Sequence, residues 1–386
     1  MKNIFEKSIQ LHKKAKGKIE IKSKVPLLNK NDLSLAYTPG VAGPCEEIKK
    51  DISKIYKYTS KWNLVAIVTD GSAVLGLGNI GADASLPVME GKAILFKEFG
   101  DVDAFPICIK SQKIEDIVKT ISLISPVFGG INLEDISSPR CFLIEKKLEK
   151  MLDIPVFHDD QHGTAVVVLA GLINALKLTD KKFNKIKVVI NGAGAAGIAI
   201  TKMLYKTGVR EIFLCDRVGV IYQGRKENMN SAKEEITKYL SKKSKKGTLN
   251  EVIEGSDVFI GVSGPDVLNE EMVKKMNKNS IIFAMANPIP EIMPDKAKKA
   301  GAFIIGTGRS DFPNQINNLL AFPGIFRGTL DIRAKKITHK MKLAASYTIA
   351  NYIPENKLSP SYIIPSPLDK KVAKKVSEKV SSAYSH

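Results

Sequence analysis

The sequence has few cysteines and few arginines for its length. Its four cysteines (Cys45, Cys108, Cys141, Cys215) lie far apart and form no CxxC pair, which argues against a disulfide framework and a cysteine-based zinc site. Only seven of the 59 basic residues are arginine, and the lysines are not interleaved with aromatic residues. Despite a formal net charge of +19, we therefore predict a solvated lysine-rich surface and no nucleic-acid partner.

A continuous hydrophobic run is also missing from the first 24 residues. Charged and apolar residues alternate there, so we predict neither a signal peptide nor a membrane anchor, and expect a cytoplasmic protein. With 386 residues, 44% of them hydrophobic, the chain exceeds what one core usually supports. We expect two domains, at residues 1–160 and 161–386.

Two aspartates, Asp159 and Asp160, stand between a short apolar strand and an apolar segment from Ala165 to Leu178. That segment predicts a helix that is too short to span a bilayer and is therefore buried in the protein. One aspartate could cap the N-terminus of this helix, since such caps are common. Alternatively, the carboxylates could bind a divalent cation.

A second acidic pair, Glu134 and Asp135, follows another predicted strand. Strands alternate with helices through this half, which predicts an α/β domain with a parallel sheet. Sites in such sheets form at the carboxyl ends of strands, where both acidic pairs would lie. Two such pairs in one domain make a cation site as well supported as helix capping.

Two residues of the first half could take part in proton transfer. Lys92 lies in a mostly apolar segment after Pro87, where we predict the start of a helix. Partial burial would lower its pKa toward neutrality and let the amine act as a base, although a surface lysine is the ordinary alternative. Tyr37 precedes the turn Pro39-Gly40, where most tyrosines serve only in packing.

The second half contains a glycine-rich turn between the predicted strand 185–190 and a helix that begins at Ile198. Glycines at this spacing allow a tight turn and close approach of the backbone to a pyrophosphate, which the helix N-terminus attracts. The turn therefore predicts a dinucleotide-binding domain. The residues expected at the cofactor are Gly192, Ala193, Gly194, Ala195, Ala196 and Gly197.

Three further positions concern the cofactor. Asp216, at the end of the next strand, would bind the ribose hydroxyls and favours NAD, whereas Arg217 could pair with the additional phosphate of NADP. Ser263 and Asn287 lie in turns after later strands and could reach the nicotinamide. Asn287-Pro288 is also an ordinary turn dipeptide.

These motifs together resemble those of the malic enzymes of the short bacterial type, over essentially the whole chain. The matching pieces are Tyr37-Thr38-Pro39-Gly40-Val41, Thr69-Asp70-Gly71 with Leu75-Gly76-Leu77-Gly78, Glu90-Gly91-Lys92, Leu133-Glu134-Asp135, His158 to Ala165, the Gly192 turn, Ala286-Asn287-Pro288, and Asn317-Asn318 before Phe322-Pro323-Gly324. The resemblance implies an N-terminal α/β malic-enzyme domain, a C-terminal Rossmann-type domain with a doubly wound parallel sheet, and a homodimer.

The resemblance also implies oxidative decarboxylation of L-malate to pyruvate and CO₂ with reduction of NAD or NADP. The implied roles are Mg²⁺ or Mn²⁺ binding by Glu134, Asp135 and Asp160 with Asp159 in support, base catalysis by Lys92, acid catalysis by Tyr37, and malate contacts from Asn287 and Asn318. The larger eukaryotic-type enzymes carry an arginine after Thr-Asp-Gly, whereas this chain has Ser72-Ala73, so recognition of the substrate carboxylate must differ.

Two other functions remain as alternatives. An amino-acid dehydrogenase also joins a lysine-bearing domain to a dinucleotide domain, but it needs no cluster of metal-binding carboxylates. A polyanion-binding protein that senses the dinucleotide would explain the net charge of +19. Metal-dependent turnover of malate would distinguish the malic enzyme from both.

Overall fold

The computed structural model describes residues 2–74 and 76–384, without the side chain of Lys2; Leu75, part of one matching motif, lies outside these residues. The helices are α1 (Lys2–Ala15), α2 (Lys30–Ala36), α3 (Ala42–Lys50), α4 (Ile55–Tyr58), α5 (Gly81–Gly100), α6 (Ile114–Ile124), α7 (Arg140–Met151), α8 (Asp159–Thr179), α9 (Ala195–Lys206), α10 (Ser231–Ile236), α11 (Leu249–Val252), α12 (Glu270–Lys274), α13 (Pro294–Lys299), α14 (Phe322–Asp331), α15 (His339–Asn351) and α16 (Lys370–Ser382). The strands are β1 (Leu64–Thr69), β2 (Asp103–Cys108), β3 (Gly130–Leu133), β4 (Val156–His158), β5 (Lys187–Asn191), β6 (Glu211–Asp216), β7 (Gly219–Val220), β8 (Val258–Gly261), β9 (Ile281–Ala284) and β10 (Ile304–Thr307).

The first sheet has the strand order β2-β1-β3-β4, and its strands run parallel. All residues of β3 are buried, as expected for an inner strand between layers of helices. Strand β2 lies at the edge, which is where a sheet tolerates a proline such as Pro106. Because the strands are parallel, their carboxyl ends lie on the same side of the sheet. The acidic pairs that follow β3 and β4 therefore lie close together there.

The second sheet has the order β10-β9-β8-β5-β6-β7 and is parallel except for the short antiparallel strand β7. One face packs against α8 and α9, and the other against α11, α12 and α13. Helices on both faces of a largely parallel sheet define the doubly wound arrangement. The predicted α/β class, with a Rossmann-type second sheet, is confirmed.

Helix α8 joins the two sheets. It belongs to one hydrophobic cluster that contains Val65 of β1 as well as Val188 of β5. By length and composition this 21-residue helix could cross a membrane, but 78% of its most apolar window is buried inside the protein. The prediction that it is too short to span was wrong, because the helix begins at Asp159 rather than at Ala165, whereas its predicted burial in the core is observed.

Helix α5 also begins earlier than the sequence predicts. We expected its start at Pro87, but the helix extends from Gly81 to Gly100 and contains the proline in its second turn. Burial of Met89 and Phe96 on one side of the helix outweighs the one helical hydrogen bond that Pro87 cannot donate. The earlier start does not change the position of Lys92, which lies in the middle of α5.

Candidate active site

Three carboxylates converge where β3 and β4 end. One oxygen each of Glu134, Asp135 and Asp160 lies within 4.8 Å of the others. The backbone N–H of Asp135 donates to Oδ2 of Asp160 at 3.0 Å, which ties the loop after β3 to the start of α8. Glu134 and Asp135 are buried, and the side chain of Asp160 is 33% exposed. The structure therefore brings together the three acids that the sequence predicts as metal ligands.

Negative charge is concentrated in this cluster beyond what the protein neutralises. Burial raises the pKa of Asp135 to about 9, assisted by repulsion from Asp160 and Glu134. Burial also raises the pKa of Glu134 and of Asp160, against the attraction of Lys92. Oxygen donors with unbalanced negative charge are the ligands that Mg²⁺ and Mn²⁺ prefer. The cluster therefore fits a divalent cation.

Lys92 lies next to the acidic cluster and is 8% exposed. Its Nζ lies 2.6 Å from Oδ2 of Asp159 and 2.8 Å from Oε1 of Glu134, and 4.2 Å from the centre of the Phe322 ring. Burial lowers the pKa of Lys92, but the attraction of Asp159 and Glu134 outweighs burial and leaves the pKa raised. The predicted burial is observed, whereas the predicted fall in pKa was wrong, because the sequence does not show that two carboxylates flank the amine.

Asp159 connects Lys92 to the second half of the chain. Its Oδ2 accepts hydrogen bonds from Lys92 and from Nδ2 of Asn318 at 2.7 Å. A Cβ atom on Gly163 would lie 1.8 Å from Oδ1 of Asp159, so only glycine leaves room for this carboxylate. The residue at the helix N-cap is His158, and no side chain caps there. Neither aspartate is therefore the N-cap.

The turn that contains Asn287 lies against the glycine-rich loop after β1. A Cβ atom on Gly76 would lie 3.0 Å from Cδ of Pro288 and 3.1 Å from the carbonyl oxygen of Asn287. A Cβ atom on Gly308 would lie 2.6 Å from Nδ2 of Asn287. Close packing against this turn explains why positions 76 and 308 are glycine. Asn287 therefore lies where the two halves of the chain meet.

The glycine-rich turn has the geometry that its spacing requires. Gly192 has φ of 118°, and a Cβ atom there would lie 2.3 Å from the carbonyl oxygen of Val262. A Cβ atom on Gly197 would lie 1.8 Å from the carbonyl oxygen of Gly192. Helix α9 begins at Ala195, so its N-terminus follows the turn directly. This strand–turn–helix unit can accept a pyrophosphate on backbone N–H groups.

Asp216 lies at the end of β6, but its carboxylate already has several partners. Nη2 of Arg225 lies 2.7 Å from both oxygens, and Nζ of Lys233 lies 2.6 Å from Oδ2. Nδ2 of Asn228 also donates to Oδ2. Arg217, considered as a phosphate partner, is exposed. The charge that would repel the additional phosphate of NADP is thus largely compensated.

Ser263 and its surroundings reveal a residue that sequence reasoning missed. Glu291 is fully buried and accepts hydrogen bonds from the backbone N–H of Ser263 at 2.9 Å and of Ala286 at 3.0 Å. It thereby holds together the turns after β8 and β9, which carry Ser263 and Asn287. The sequence did offer one signal, an acidic residue that lies between Pro290 and an apolar pair. A carboxylate that is buried at such a position needs hydrogen-bond donors from the backbone.

A second missed residue organises the loop after β1. Nη1 of Arg140 donates to Oδ2 of Asp70 at 2.6 Å, and Nη2 donates to Oγ of Ser72 at 2.8 Å. The side chain of Asp70 is fully buried. Arg140 thus fixes the Thr-Asp-Gly segment that leads into the glycine-rich loop.

Tyr37 is the one predicted catalytic residue that is not brought to the cluster. The residue is 67% exposed and makes no side-chain hydrogen bond within residues 2–74 and 76–384. It lies at the end of α2, in an N-terminal segment whose apolar side chains are largely exposed. These include Phe5, Leu27, Leu28 and Leu35.

Comparison with known proteins identifies both halves of the chain. Residues 16–149 match the family model of the malic enzyme N-terminal domain, and residues 161–384 match that of the malic enzyme NAD-binding domain. The chain is 59% identical over 381 residues to the bifunctional malic/malolactic enzyme of Bacillus subtilis, covering 99% of this chain and 93% of that protein. It is 55% identical to the NAD-dependent malic enzyme of Geobacillus stearothermophilus, over 99% of this chain and 79% of that protein.

Solved structures lead to the same family assignment. The crystal structure of the NAD-dependent malic enzyme of Thermotoga maritima has a TM-score of 0.93 and 49% identity to this chain, and the match covers 97% of this chain and 98% of that one. The malic enzyme of Pyrococcus horikoshii has a TM-score of 0.93 and 48% identity, over 98% and 90% of the two chains. Two family models and close relatives over nearly its whole length show that the chain belongs to the malic enzyme family.

Proposed function

We propose that the protein catalyses the oxidative decarboxylation of L-malate to pyruvate and CO₂, with reduction of NAD or NADP and with a requirement for a divalent cation. The observation that carries this proposal is the position of Lys92 between Glu134 of the acidic cluster and Asp159, which contacts Asn318 of the second half. The candidate base, the candidate metal-binding cluster and a residue of the second half thus belong to one arrangement. An amino-acid dehydrogenase would not need the cluster.

Glu134, Asp135 and Asp160 would hold Mg²⁺ or Mn²⁺. When bound, the cation supplies a Lewis acid that stabilises negative charge on the ketone oxygen during loss of CO₂. The protein's part is to keep three carboxylates within 4.8 Å of one another, which Asn132 assists by donating to Oε2 of Glu134 at 2.8 Å. Because this step needs no nicotinamide, we infer that the enzyme also decarboxylates oxaloacetate.

Lys92 would accept the proton of the malate 2-hydroxyl as hydride leaves for the nicotinamide. The amine must be neutral to do so, and its raised pKa arises from Asp159 and Glu134. With Glu134 engaged in binding a cation, part of that attraction would be lost and the pKa of Lys92 would fall. Asp159 keeps the amine in place, and Asn318 and Asn287 would contact malate.

Tyr37 would protonate the enol carbon of pyruvate, since a positioned acid is needed there. We propose that the protein is a homodimer in which a second copy covers the exposed apolar N-terminal segment. Apolar surface of this extent marks an interaction site. Because Tyr37 lies in that segment, dimer formation determines what its phenol faces.

NAD would be the preferred nicotinamide cofactor, with NADP accepted. Asp216 stands where an acid binds the ribose hydroxyls, but Arg225 and Lys233 compensate its charge and weaken its repulsion of a phosphate. The turn at residues 192–197, Ser263 and Asn287 would line the cofactor. We further propose residues 1–160 and 161–386 as the two domains, and a cytoplasmic location.

The test is a steady-state assay of the purified protein with L-malate, Mn²⁺ and either NAD or NADP. We expect pyruvate, CO₂ and reduced cofactor in equal amounts, and loss of all three in the presence of a chelator. Lactate is measured in the same samples, because the B. subtilis relative is named a malic/malolactic enzyme. Undiminished turnover in chelator would contradict the metal requirement, and absence of malate turnover with either cofactor would contradict the function.

A further inference from the structure

A cavity of about 340 Å³ lies beside the first turn of α8. Helices α7, α8, α9 and α15 meet around it. Gln161 and His162 of α8 belong to its lining, and they directly follow Asp160 of the acidic cluster. The cavity is therefore separated from the candidate metal site by the first turn of α8, and none of the roles proposed above uses it.

Three lysines from three different helices line this cavity without a carboxylate partner. Lys146 of α7, Lys206 of α9 and Lys342 of α15 form no ion pair within 4.0 Å in the described part of the chain. Nζ of Lys342 has one hydrogen-bond partner there, Nδ1 of His162 at 3.2 Å. Burial lowers the pKa of Lys342, and the charges of Glu145 and Glu149 only partly oppose this effect.

Two of the three acidic residues of the lining already have side-chain partners, which are themselves lining residues. Glu145 accepts hydrogen bonds from Gln161 and His162 and from the backbone N–H of His158. Glu235 pairs with Lys202 at 2.8 Å. Glu149 is left as an acid of the lining with no hydrogen bond or ion pair among the described residues. With Glu235 paired to Lys202, three lysines remain against the two carboxylates of Glu145 and Glu149, so the charge balance of the lining is positive by one.

His339 adds a neutral hydrogen-bonding group. It lies at the first position of α15, and burial, with the nearby charges of Lys206 and Lys342, lowers its pKa to about 4. A neutral imidazole can donate one hydrogen bond to an anion. The apolar part of the lining, which includes Ile198 and Met203, suits a short carbon chain.

We propose that this cavity binds a small dianion, carrying either a phosphate group or two carboxylates, and that the bound anion regulates malate turnover. Lys206 and Lys342 would contact the anion, and His339 would donate a hydrogen bond. A bound dianion would give both lysines an ion-pair contact within 4.0 Å, which the described residues do not supply. The regulatory part of this inference rests on the proposed function, whereas the binding part does not.

A chain of hydrogen bonds links the cavity to the candidate metal site. An ammonium group only donates, so Nδ1 of His162 accepts from Lys342, and Nε2–H of the same ring donates to Glu145. Glu145 in turn accepts from the backbone N–H of His158, the residue that precedes α8. An anion that draws Lys342 away from His162 therefore alters the support of the first turn of α8, where Asp159 and Asp160 lie.

Binding is tested by calorimetry on the full chain in chelator, without nucleotide or malate. Succinate and inorganic phosphate are titrated separately, so that the two arms distinguish a dicarboxylate from a phosphate ligand. We expect Lys206→Gln and Lys342→Gln to weaken binding of the preferred anion at least about tenfold. The matched control is Lys296→Gln, an exposed lysine of α13 outside the cavity, which should bind like the wild type.

Equal affinity in the wild type and both cavity variants, or no binding of either anion, would overturn the proposal. Because Lys206 is exposed, Lys206→Gln should fold even if Lys342→Gln does not. Turnover of malate is then measured with the preferred anion present: kcat or KM should change in the wild type and not in Lys206→Gln. An unchanged wild-type rate would overturn the regulatory part. Anion binding by a protein without malate turnover would instead contradict the proposed function.

Discussion

At the scale of single residues, the site depends on charges that the protein alone does not balance. Glu134, Asp135 and Asp160 face one another with raised pKa values, and Lys92 is the cation that lies against the cluster. Like charges held this close are stable only with hydrogen bonds, protons or a bound cation to offset them. The same arrangement that costs stability in the metal-free protein creates affinity for a divalent ion.

The first prediction concerns replacement of Lys92, the candidate base. Lys92→Gln should lower kcat by about 10²- to 10⁴-fold, because general-base catalysis contributes on that order. Binding of reduced cofactor, measured by fluorescence titration, should stay within a few-fold of the wild type. Lys97→Gln, an exposed lysine on the same helix, is the control and should retain full activity. A Lys92→Gln variant with near wild-type kcat would remove this residue from the mechanism.

The second prediction is that the free energy of unfolding of the metal-free protein depends on whether Asp135 is charged. Its pKa rises from 3.8 in the reference state to about 9, with burial as the main cause. A carboxyl with a raised pKa in the folded state binds its proton more tightly there, so stability falls as pH rises between these two values. Asp135→Asn removes this loss, and the variant in chelator should be more stable than the wild type by about 1 kcal/mol or more at about pH 8.

The comparison requires urea denaturation of both proteins in chelator across the pH range. The free energy of unfolding of Asp135→Asn should exceed that of the wild type by less and less as pH falls toward the pKa of the unfolded state. Added Mn²⁺ should stabilise the wild type but not Asp135→Asn. Asp295→Asn, an exposed aspartate of α13, controls for the loss of one negative charge. A variant less stable than the wild type at the higher pH would refute the charge argument.

At the scale of elements, α8 performs two tasks. Its length and apolar faces join the cores of both sheets, and its first turn presents Asp159 and Asp160. The second task explains why a glycine occurs in an otherwise strong helix. Gly163 costs about 1 kcal/mol of helix propensity relative to alanine, but its missing Cβ leaves space for the carboxylate of Asp159.

Substitution of that glycine should separate stability from activity. Gly163→Ala would place Cβ 1.8 Å from Oδ1 of Asp159, so the carboxylate must move and Lys92 loses its support. We expect kcat to fall by at least about tenfold, the effect of a barrier raised by 1.4 kcal/mol. Gly91→Ala on α5, where the nearest atom to the new Cβ is the flexible Nζ of Lys18 at 3.5 Å, should keep full activity. Equal activity of the two variants would contradict the packing argument.

At the scale of the whole molecule, the parts predicted from sequence are those that local patterns determine. The Gly192 turn, the two acidic pairs and the alternation of strands and helices each depend on neighbouring residues, and the fold class they predicted is confirmed. Lys92 differs, because its pKa depends on Asp159, which lies 67 positions away. The contact between His162 and Lys342 spans 180 positions and follows no local pattern. Such charges meet only after folding.

The proposed dimer makes a prediction at the same scale. Leu28 is 86% exposed in the N-terminal segment, and Leu28→Glu should shift the protein toward monomers in sedimentation velocity experiments, because it places a charge in the interface. Malate turnover should fall with the dimer fraction, since Tyr37 lies in the same segment. Leu368→Glu, at a residue 76% exposed near the C-terminus, is the control. A wild type that is monomeric at assay concentrations would contradict the proposal.

The most direct test of the account is to count bound Mn²⁺ and pyruvate formed in the same samples. Electron paramagnetic resonance measures free Mn²⁺ during titration of the wild type and of Asp160→Asn, and pyruvate formation with L-malate and NAD is followed at each point. We predict one functional Mn²⁺ per chain, a rate proportional to its occupancy, and loss of both in Asp160→Asn. A rate independent of occupancy, or wild-type Mn²⁺ binding in Asp160→Asn, would contradict the claim that Glu134, Asp135 and Asp160 form the catalytic metal site.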